Sequence, residues 1–411
     1  MTSLNVFYQN QLVGQIIEDQ LGMGFQYSAD WLNYESRFAI SHSLPLSDQF
    51  YLEEGENFFA NLLPEGGARD SLCQKLGISI DNDMALLERI GHECAGALVV
   101  ANTNAKKPLL EKKRQITEED FTKLLHDGVA VYSGLQEGGD FPFSLAGAQD
   151  KIPVIYENGK FFRPTSLLAS THILKFAQSR FKYVPENEMI CAMMLESFGL
   201  PVPHSELVKF NSEYHFLIER YDRKAKVKFH QEDFCQMLGV SRKKKYEIES
   251  GLNFNDIFFK VESIPESKNT TTDLDFLIRW QILNVYLGNC DGHLKNLSLL
   301  MDVNHKWALA PFYDVVMTLI YPKVSKRLAL SIGEQYEIGN LHAKHWTAFF
   351  IALKVSPSFY LKKIAEIGDL VMPHFENVRQ FFIAEYGPSP VLVQMEGQLL
   401  ENIRRVKTGL R

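Results

Sequence analysis

An aspartate and an asparagine stand five positions apart in Gly288-Asn289-Cys290-Asp291-Gly292-His293-Leu294-Lys295-Asn296, and a second aspartate follows in Phe312-Tyr313-Asp314-Val315. This set can transfer a phosphoryl group. The first aspartate accepts the proton of an attacking hydroxyl, and the asparagine and the later aspartate hold magnesium against nucleotide phosphates. Asp and Asn also favour turns, and this segment follows a helix. What tips the reading toward chemistry is density: Asn289, Asp291, His293, Lys295 and Asn296 crowd between two apolar elements, more hydrogen-bonding groups than a turn requires. Lys295 can neutralise charge on the transferring group, or it is simply an exposed lysine. His293 can orient the loop. Asp314 lies in the apolar run 309–316. Burying a carboxylate there is costly unless a cation or several donors meet it. Magnesium would satisfy it, and so would a helix N-cap.

Other residues suit the same chemistry. Lys175 ends Ser170-Thr171-His172-Ile173-Leu174-Lys175-Phe176, which reads as a strand with Thr171, Ile173 and Lys175 on one face. Kinases place a phosphate-contacting lysine on a strand of the smaller lobe. Glu188 opens the next helix and is a candidate partner for Lys175, or a first-turn carboxylate favoured by the helix dipole. Ser144-Leu145-Ala146-Gly147-Ala148-Gln149-Asp150-Lys151 is rich in small residues, so its backbone N–H groups could approach phosphate. Glu219-Arg220-Tyr221-Asp222-Arg223 falls where strands give way to helices, the hinge position of a two-lobed kinase. Arg242-Lys243-Lys244-Lys245 reads as a solvated basic loop.

The elements that must position these groups can be read from pattern. Residues 1–102 form a mixed α/β part that opens with a hairpin, residues 5–8 and 12–17 flanking Asn10. Residues 103–143 hold a basic, polar linker and a helix that begins near Thr117 and Asp120. Residues 144–222 are strand-rich. Asn158-Gly159 suits a type I′ hairpin turn, and a second hairpin joins 202–210 to 214–219. Between them 185–198 reads as a helix with Pro185 at its start and Gly199 at its end. Residues 223–411 are largely helical. The clearest helix spans 273–287, with Phe276, Trp280, Leu283 and Leu287 on one face and Gly288 as its stop. The expected fold class is α+β.

Composition excludes several function classes. The 411 residues are 45% hydrophobic and 23% charged, as in a globular protein that can build a large core. A net charge of −7 argues against strong nucleic-acid binding by this chain alone. The five cysteines make no C-x-x-C pair and read as reduced thiols. No signal peptide or membrane span is expected, and the expected location is cytoplasmic.

Together these stretches resemble the HipA family of bacterial serine/threonine kinases, the toxins of HipBA-type toxin–antitoxin modules. Further matching stretches are Ser41-His42-Ser43-Leu44-Pro45-Leu46, Asn61-Leu62-Leu63-Pro64-Glu65-Gly66 and His230-Gln231-Glu232-Asp233-Phe234-Cys235-Gln236. All are collinear and span nearly the whole chain. The resemblance implies a two-lobed, protein-kinase-like fold with an ATP-binding small lobe at 144–222 and a catalytic lobe at 223–411. It implies ATP and Mg2+ as cofactors, Asp291 as the catalytic base, and Asn296 and Asp314 as metal ligands. Ala146, Gly147, Ala148, Gln149, Lys151, Lys175 and His293 would lie with the nucleotide, and Glu219 and Tyr221 beside adenine. Ser144 matches a serine that the family autophosphorylates. The implied partners are a small helix-turn-helix antitoxin of the HipB type, operator DNA through that antitoxin, and a protein substrate, an aminoacyl-tRNA synthetase of the glutamyl class. Gly292 stands where many relatives carry a second acidic residue, and Tyr221 where Phe is common. Two other readings stay open: a kinase scaffold that holds antitoxin or DNA without phosphoryl transfer, and a small-molecule or lipid kinase.

Overall fold

The structure is a computed structural model that describes residues 2–102, 113–127, 151–165, 168–177, 181–225, 227–265 and 267–411. Ser144 and the Ala146, Gly147, Ala148 and Gln149 stretch lie outside the described residues. The chain divides into two compact units. The first comprises Met1–Phe176, Val208–Lys243 and Leu299–His305, and the second Ala177–Leu207, Lys244–Ser298 and Lys306–Arg411.

The first unit holds the two largest sheets among the described residues. One is five-stranded, ordered Phe50–Tyr51, Gly22–Tyr27, Gln11–Asp19, Thr2–Tyr8, Leu98–Asn102. The expected opening hairpin is present: Tyr8 pairs with Gln11 across a two-residue turn, and its strands run longer than the alternation alone marks. The apolar run after Asn57 closes the helix Glu53–Ala60, which sinks Phe58 and Phe59 into the core.

The second sheet has the order Ser205–Phe210, Glu213–Glu219, His172–Lys175, Lys151–Glu157, Lys160–Phe162, Gln115–Ile116. Asn158 and Gly159 carry φ of 52° and 73°, the left-handed pair that a type I′ turn demands. The strand expected from Val202 begins only at Ser205. Pro201 and Pro203 lack the N–H groups a ladder needs. Ile152, Val154, Leu174 and Leu217 fill one face of this sheet together with Phe121, carried by the helix Glu118–Asp127. Phe121 stacks on Phe210 at 4.2 Å and meets Phe161 edge-on at 5.2 Å.

The second unit is mainly helical, with helices Val184–Ser197, Phe254–Glu262, Thr270–Leu287, Ala343–Ala352, Pro357–Tyr386 and Pro390–Gly409. It also carries the hairpin Arg327–Ile332 with Gln335–Glu337. The Thr270–Leu287 helix is buried all round from Trp280 to its end, not along one face as the spacing predicts. That makes it the unit's central helix, surrounded by other elements rather than laid on a surface. Gly288 ends it in the left-handed conformation (φ 66°), and a Cβ there would stand 2.9 Å from both Asn402 Nδ2 and Leu319 Cδ1. Among the described residues no helix is long and apolar enough to cross a membrane, and all five cysteines are buried thiols.

Candidate active site

The loop after the central helix is fixed almost entirely by side chains that the motif spacing does not name. Asn289 donates its backbone N–H to Asn284 O at 2.9 Å and its amide to Asn284 Oδ1 at 3.0 Å. Its own Oδ1 accepts the Asp291 N–H at 3.0 Å. The Cys290 N–H meets Thr318 Oγ1 at 2.9 Å. One turn later Asn296 Oδ1 accepts the His293 N–H at 3.2 Å, while the Asn296 N–H returns to His293 O at 2.9 Å. The loop thereby closes on a short 3-10 turn, Leu294–Asn296, that holds Asp291 and Asn296 in one rigid segment.

Asp291 is exposed. Its Oδ1 accepts a hydrogen bond from Tyr246 Oη at 2.6 Å. The Tyr246 ring stands edge-on to the His293 imidazole at 5.1 Å. His293 is buried, with its N–H on Asn296 Oδ1 and its ring against Tyr246. Lys295 is buried, which overturns the reading of an exposed lysine, and its carbonyl accepts Tyr313 Oη at 2.9 Å. Gly292 has no space for a side chain: a Cβ would lie 2.9 Å from Asn284 Nδ2 and 3.1 Å from the Trp280 ring.

Asp314 is half-buried with φ 55°. A non-glycine residue in the left-handed region is uncommon and marks a position that the surroundings enforce. It caps no helix, because the next helical turn, Thr318–Ile320, takes Met317 as its N-cap. The segment after it is clamped by Asn187, fully buried in the helix Val184–Ser197. Asn187 Oδ1 accepts the Met317 N–H at 2.9 Å, and its amide donates to Met317 O and Tyr321 Oη, each at 3.1 Å. On the other side the Phe312 N–H meets Pro201 O at 2.8 Å, and its ring stacks on Trp280 at 6.0 Å. Glu188 is buried in the second turn of the Val184–Ser197 helix, so it is not a first-turn capping carboxylate.

The first unit carries the predicted cations. Lys151 and Lys175 are register partners on adjacent antiparallel strands, and Phe216 is the next residue in the same row. They share the face opposite the Ile152, Leu174 and Leu217 core. Lys175 is 3% exposed, and its ammonium lies 5.5 Å from the Phe216 ring centroid. Strand register therefore sets two lysines side by side on this face. Glu219 pairs with His172 on the other face of the sheet, and Tyr221 follows beyond the strand end.

Between those two exposed or half-exposed residues lies a buried ionic cluster. Arg220 binds Asp222 through Nε at 2.9 Å and Nη2 at 2.8 Å, and reaches Glu93 at 3.2 Å and Cys94 O at 3.0 Å. Arg223 joins Asp222 at 2.9 Å and Gly96 O at 2.8 Å. Asp222 in turn accepts the Gly96 N–H at 2.7 Å. Burial alone would raise the Asp222 and Glu93 carboxyls, but the surrounding cations outweigh it. Arg220 and Arg223 hold Asp222 far below its usual range, and Lys228, Arg220 and Arg223 hold Glu93 below its own. The hinge segment is thus bolted to residues 93–96.

The remaining stretches of the resemblance are structural as well. Glu232 accepts Ser41 Oγ at 2.5 Å and pairs with His42 Nδ1 at 2.9 Å. Asn61 donates to Val240 O at 2.8 Å, and Gln236 to Phe58 O at 3.2 Å. Of the basic run, Lys243 and Lys244 are exposed, whereas Arg242 is buried against Asp83 at 2.7 Å.

Comparison with known proteins identifies the family. The family model described as HipA-like C-terminal domain matches residues 143–374, and the one described as HipA N-terminal domain matches residues 4–101. The chain belongs to the HipA family. It is a protein kinase of that family. It is 34% identical to the Sinorhizobium fredii protein Y4mE over 377 residues, 89% of each chain. It is 26% identical to the serine/threonine-protein kinase toxin HipA of Shewanella oneidensis, over 93% of each chain. The solved structure of Shewanella oneidensis HipA, in complex with HipB and operator DNA, superimposes with a TM-score of 0.84 at 24% identity. That match covers 98% of this chain and 97% of the other, and it confirms the HipA-like kinase fold.

Proposed function

We propose that this HipA-family kinase uses ATP and magnesium to phosphorylate serine or threonine hydroxyls of a protein, and that it acts as the toxin of a type II toxin–antitoxin pair. The observation that carries the chemistry is the loop in which Asp291 stands exposed while Asn296 is locked one turn away. The acceptor oxygen attacks the γ-phosphorus, its proton passes to Asp291, and the bond to the β-phosphate oxygen breaks. Lys295 and Lys175 offset the charge that builds on the phosphoryl group, and Lys151 shares that task from the neighbouring strand. A magnesium ion shared with nucleotide phosphates takes one or two protein oxygen ligands. The Asn296 amide oxygen and the Asp314 carboxylate would be such ligands, and the ion would shield phosphate charge.

The target in this reading is an aminoacyl-tRNA synthetase, of the glutamyl class. Phosphorylation of Ser144 would silence the kinase, because a phosphoserine beside the phosphate-binding stretch 146–149 repels nucleotide phosphates. A helix-turn-helix antitoxin of the HipB type would hold the kinase and carry it to operator DNA. The HipB–DNA complex of the Shewanella relative supports that partner. The kinase is to be incubated with γ-labelled ATP, magnesium and purified glutamyl-tRNA synthetase. Label on the synthetase, with phosphate on Ser144 by mass spectrometry, is the expected result. Label on lipid or small metabolites alone would overturn the reading.

A further inference from the structure

We infer that Tyr246 is a positioning residue for Asp291: its hydroxyl fixes the carboxylate so that the second oxygen, Oδ2, is presented to the acceptor hydroxyl. This rests on the reading of Asp291 as the base. Asp291 is exposed, and an exposed carboxylate turns freely unless something holds it. A base must be oriented before the acceptor arrives, because small misplacements are costly in rate. The 2.6 Å contact from Tyr246 Oη to Oδ1 lies in the short range of a hydrogen bond to an ionised acceptor.

The tyrosine is itself held from three sides. Its carbonyl accepts the N–H groups of Glu249 and Ser250, each at 3.0 Å, and the Ser250 hydroxyl at 3.0 Å. Its neighbour Glu247 is pinned to the Arg327–Ile332 hairpin through the Ser331 N–H at 2.5 Å, Ser331 Oγ at 2.7 Å and Tyr336 Oη at 3.0 Å. Its other neighbour, Lys245, accepts the Leu294 N–H at 3.2 Å. Residues 245–246 are therefore docked along the loop at Asp291, His293 and Leu294, with the tyrosine ring against His293. A side chain anchored this firmly suits orientation rather than release on substrate arrival.

The test compares the full-length chain with Tyr246→Phe, Tyr246→Leu and Asp291→Ala. ADP release with ATP and magnesium is measured for kcat and KM, calorimetry gives nucleotide affinity, and melting gives stability. Tyr246→Phe keeps the ring on His293 and removes only the hydroxyl. It is expected to lower kcat roughly tenfold to a hundredfold, with KM, affinity and melting temperature unchanged. Tyr246→Leu is expected to add little further loss. A Tyr246→Phe variant as active as wild type, or more active, beside an inactive Asp291→Ala overturns the inference alone. Wild-type rates in Asp291→Ala, or no ADP release by wild type, overturn the underlying reading with it.

Discussion

Three residues of the motif owe their places to neighbours of ordinary appearance. Asp291 leans on Asn289 and Tyr246, Asn296 closes on His293, and the segment after Asp314 hangs on Asn187. Lys175 and Lys151 are placed differently, by strand register, which sets the two cations of the proposed phosphate site side by side. Lys175→Ala is therefore expected to weaken ATP binding by roughly tenfold or more, about 1.4 kcal/mol per factor of ten. Melting of the nucleotide-free protein is measured alongside, so that lost binding is told from a lost fold. Loss of most of the ATP-induced rise in melting temperature would be the signature. An unchanged rise would remove Lys175 from the phosphate site. At this scale the sequence was informative about charged groups and silent about their supports. Tyr246 follows a basic run and Asn187 lies between two glutamates, so no local spacing marks either one. Each meets its partner across 45 and 130 positions of chain.

The elements were legible where local chemistry decides them. Asn158-Gly159 made its hairpin and Gly288 ended its helix, because both need left-handed backbone that few residues supply. Boundaries drifted where tertiary packing decides. The central helix starts at Thr270 rather than Asp273, and its later half is enclosed on all sides. The Val184–Ser197 helix delivers Asn187 to the irregular segment after Asp314. Asn187→Leu keeps the volume but leaves the Met317 N–H and carbonyl without their partner. Each buried polar group left so costs about 1–3 kcal/mol. Urea denaturation should show a loss of roughly 2–4 kcal/mol, with kinase activity falling further than the folded fraction. Wild-type stability in this variant would mean that the clamp does not hold the segment.

For the whole molecule, two buried histidines and two buried carboxylates make a common prediction about acid. Burial drives the His215 imidazole down to about 4 against an ordinary 6.5, with a hydrogen bond to the Phe210 backbone opposing. Burial likewise lowers His230. Folded values below unfolded ones mean stability that is complete above pH 6.5 and is lost as pH falls through the folded values. Asp222 and Glu93, held low by their arginines, add losses of the same sign that begin below their ordinary 3.8 and 4.5. The melting temperature should therefore fall steadily from pH 7 to pH 4 and faster below. A flat profile down to pH 4 would contradict these assignments. That a sheet-rich N-terminal region precedes a helical C-terminal one was readable from pattern, because strand and helix periods differ. What pattern could not reveal is that the Ser41-His42 and Asn61 stretches serve to bind residues 232–240 rather than to do chemistry. Such roles appear only when distant segments are brought together.

The central claim is phosphoryl transfer by the loop that bears Asp291 and Asn296, with Asp314 beyond it. The direct measurement is transfer of label from γ-labelled ATP to protein by wild type, Asp291→Ala and Asp314→Ala, each checked for an unchanged melting temperature. Robust transfer by wild type and loss to background in both folded variants is the predicted result. Transfer at the wild-type rate by either folded variant would contradict it.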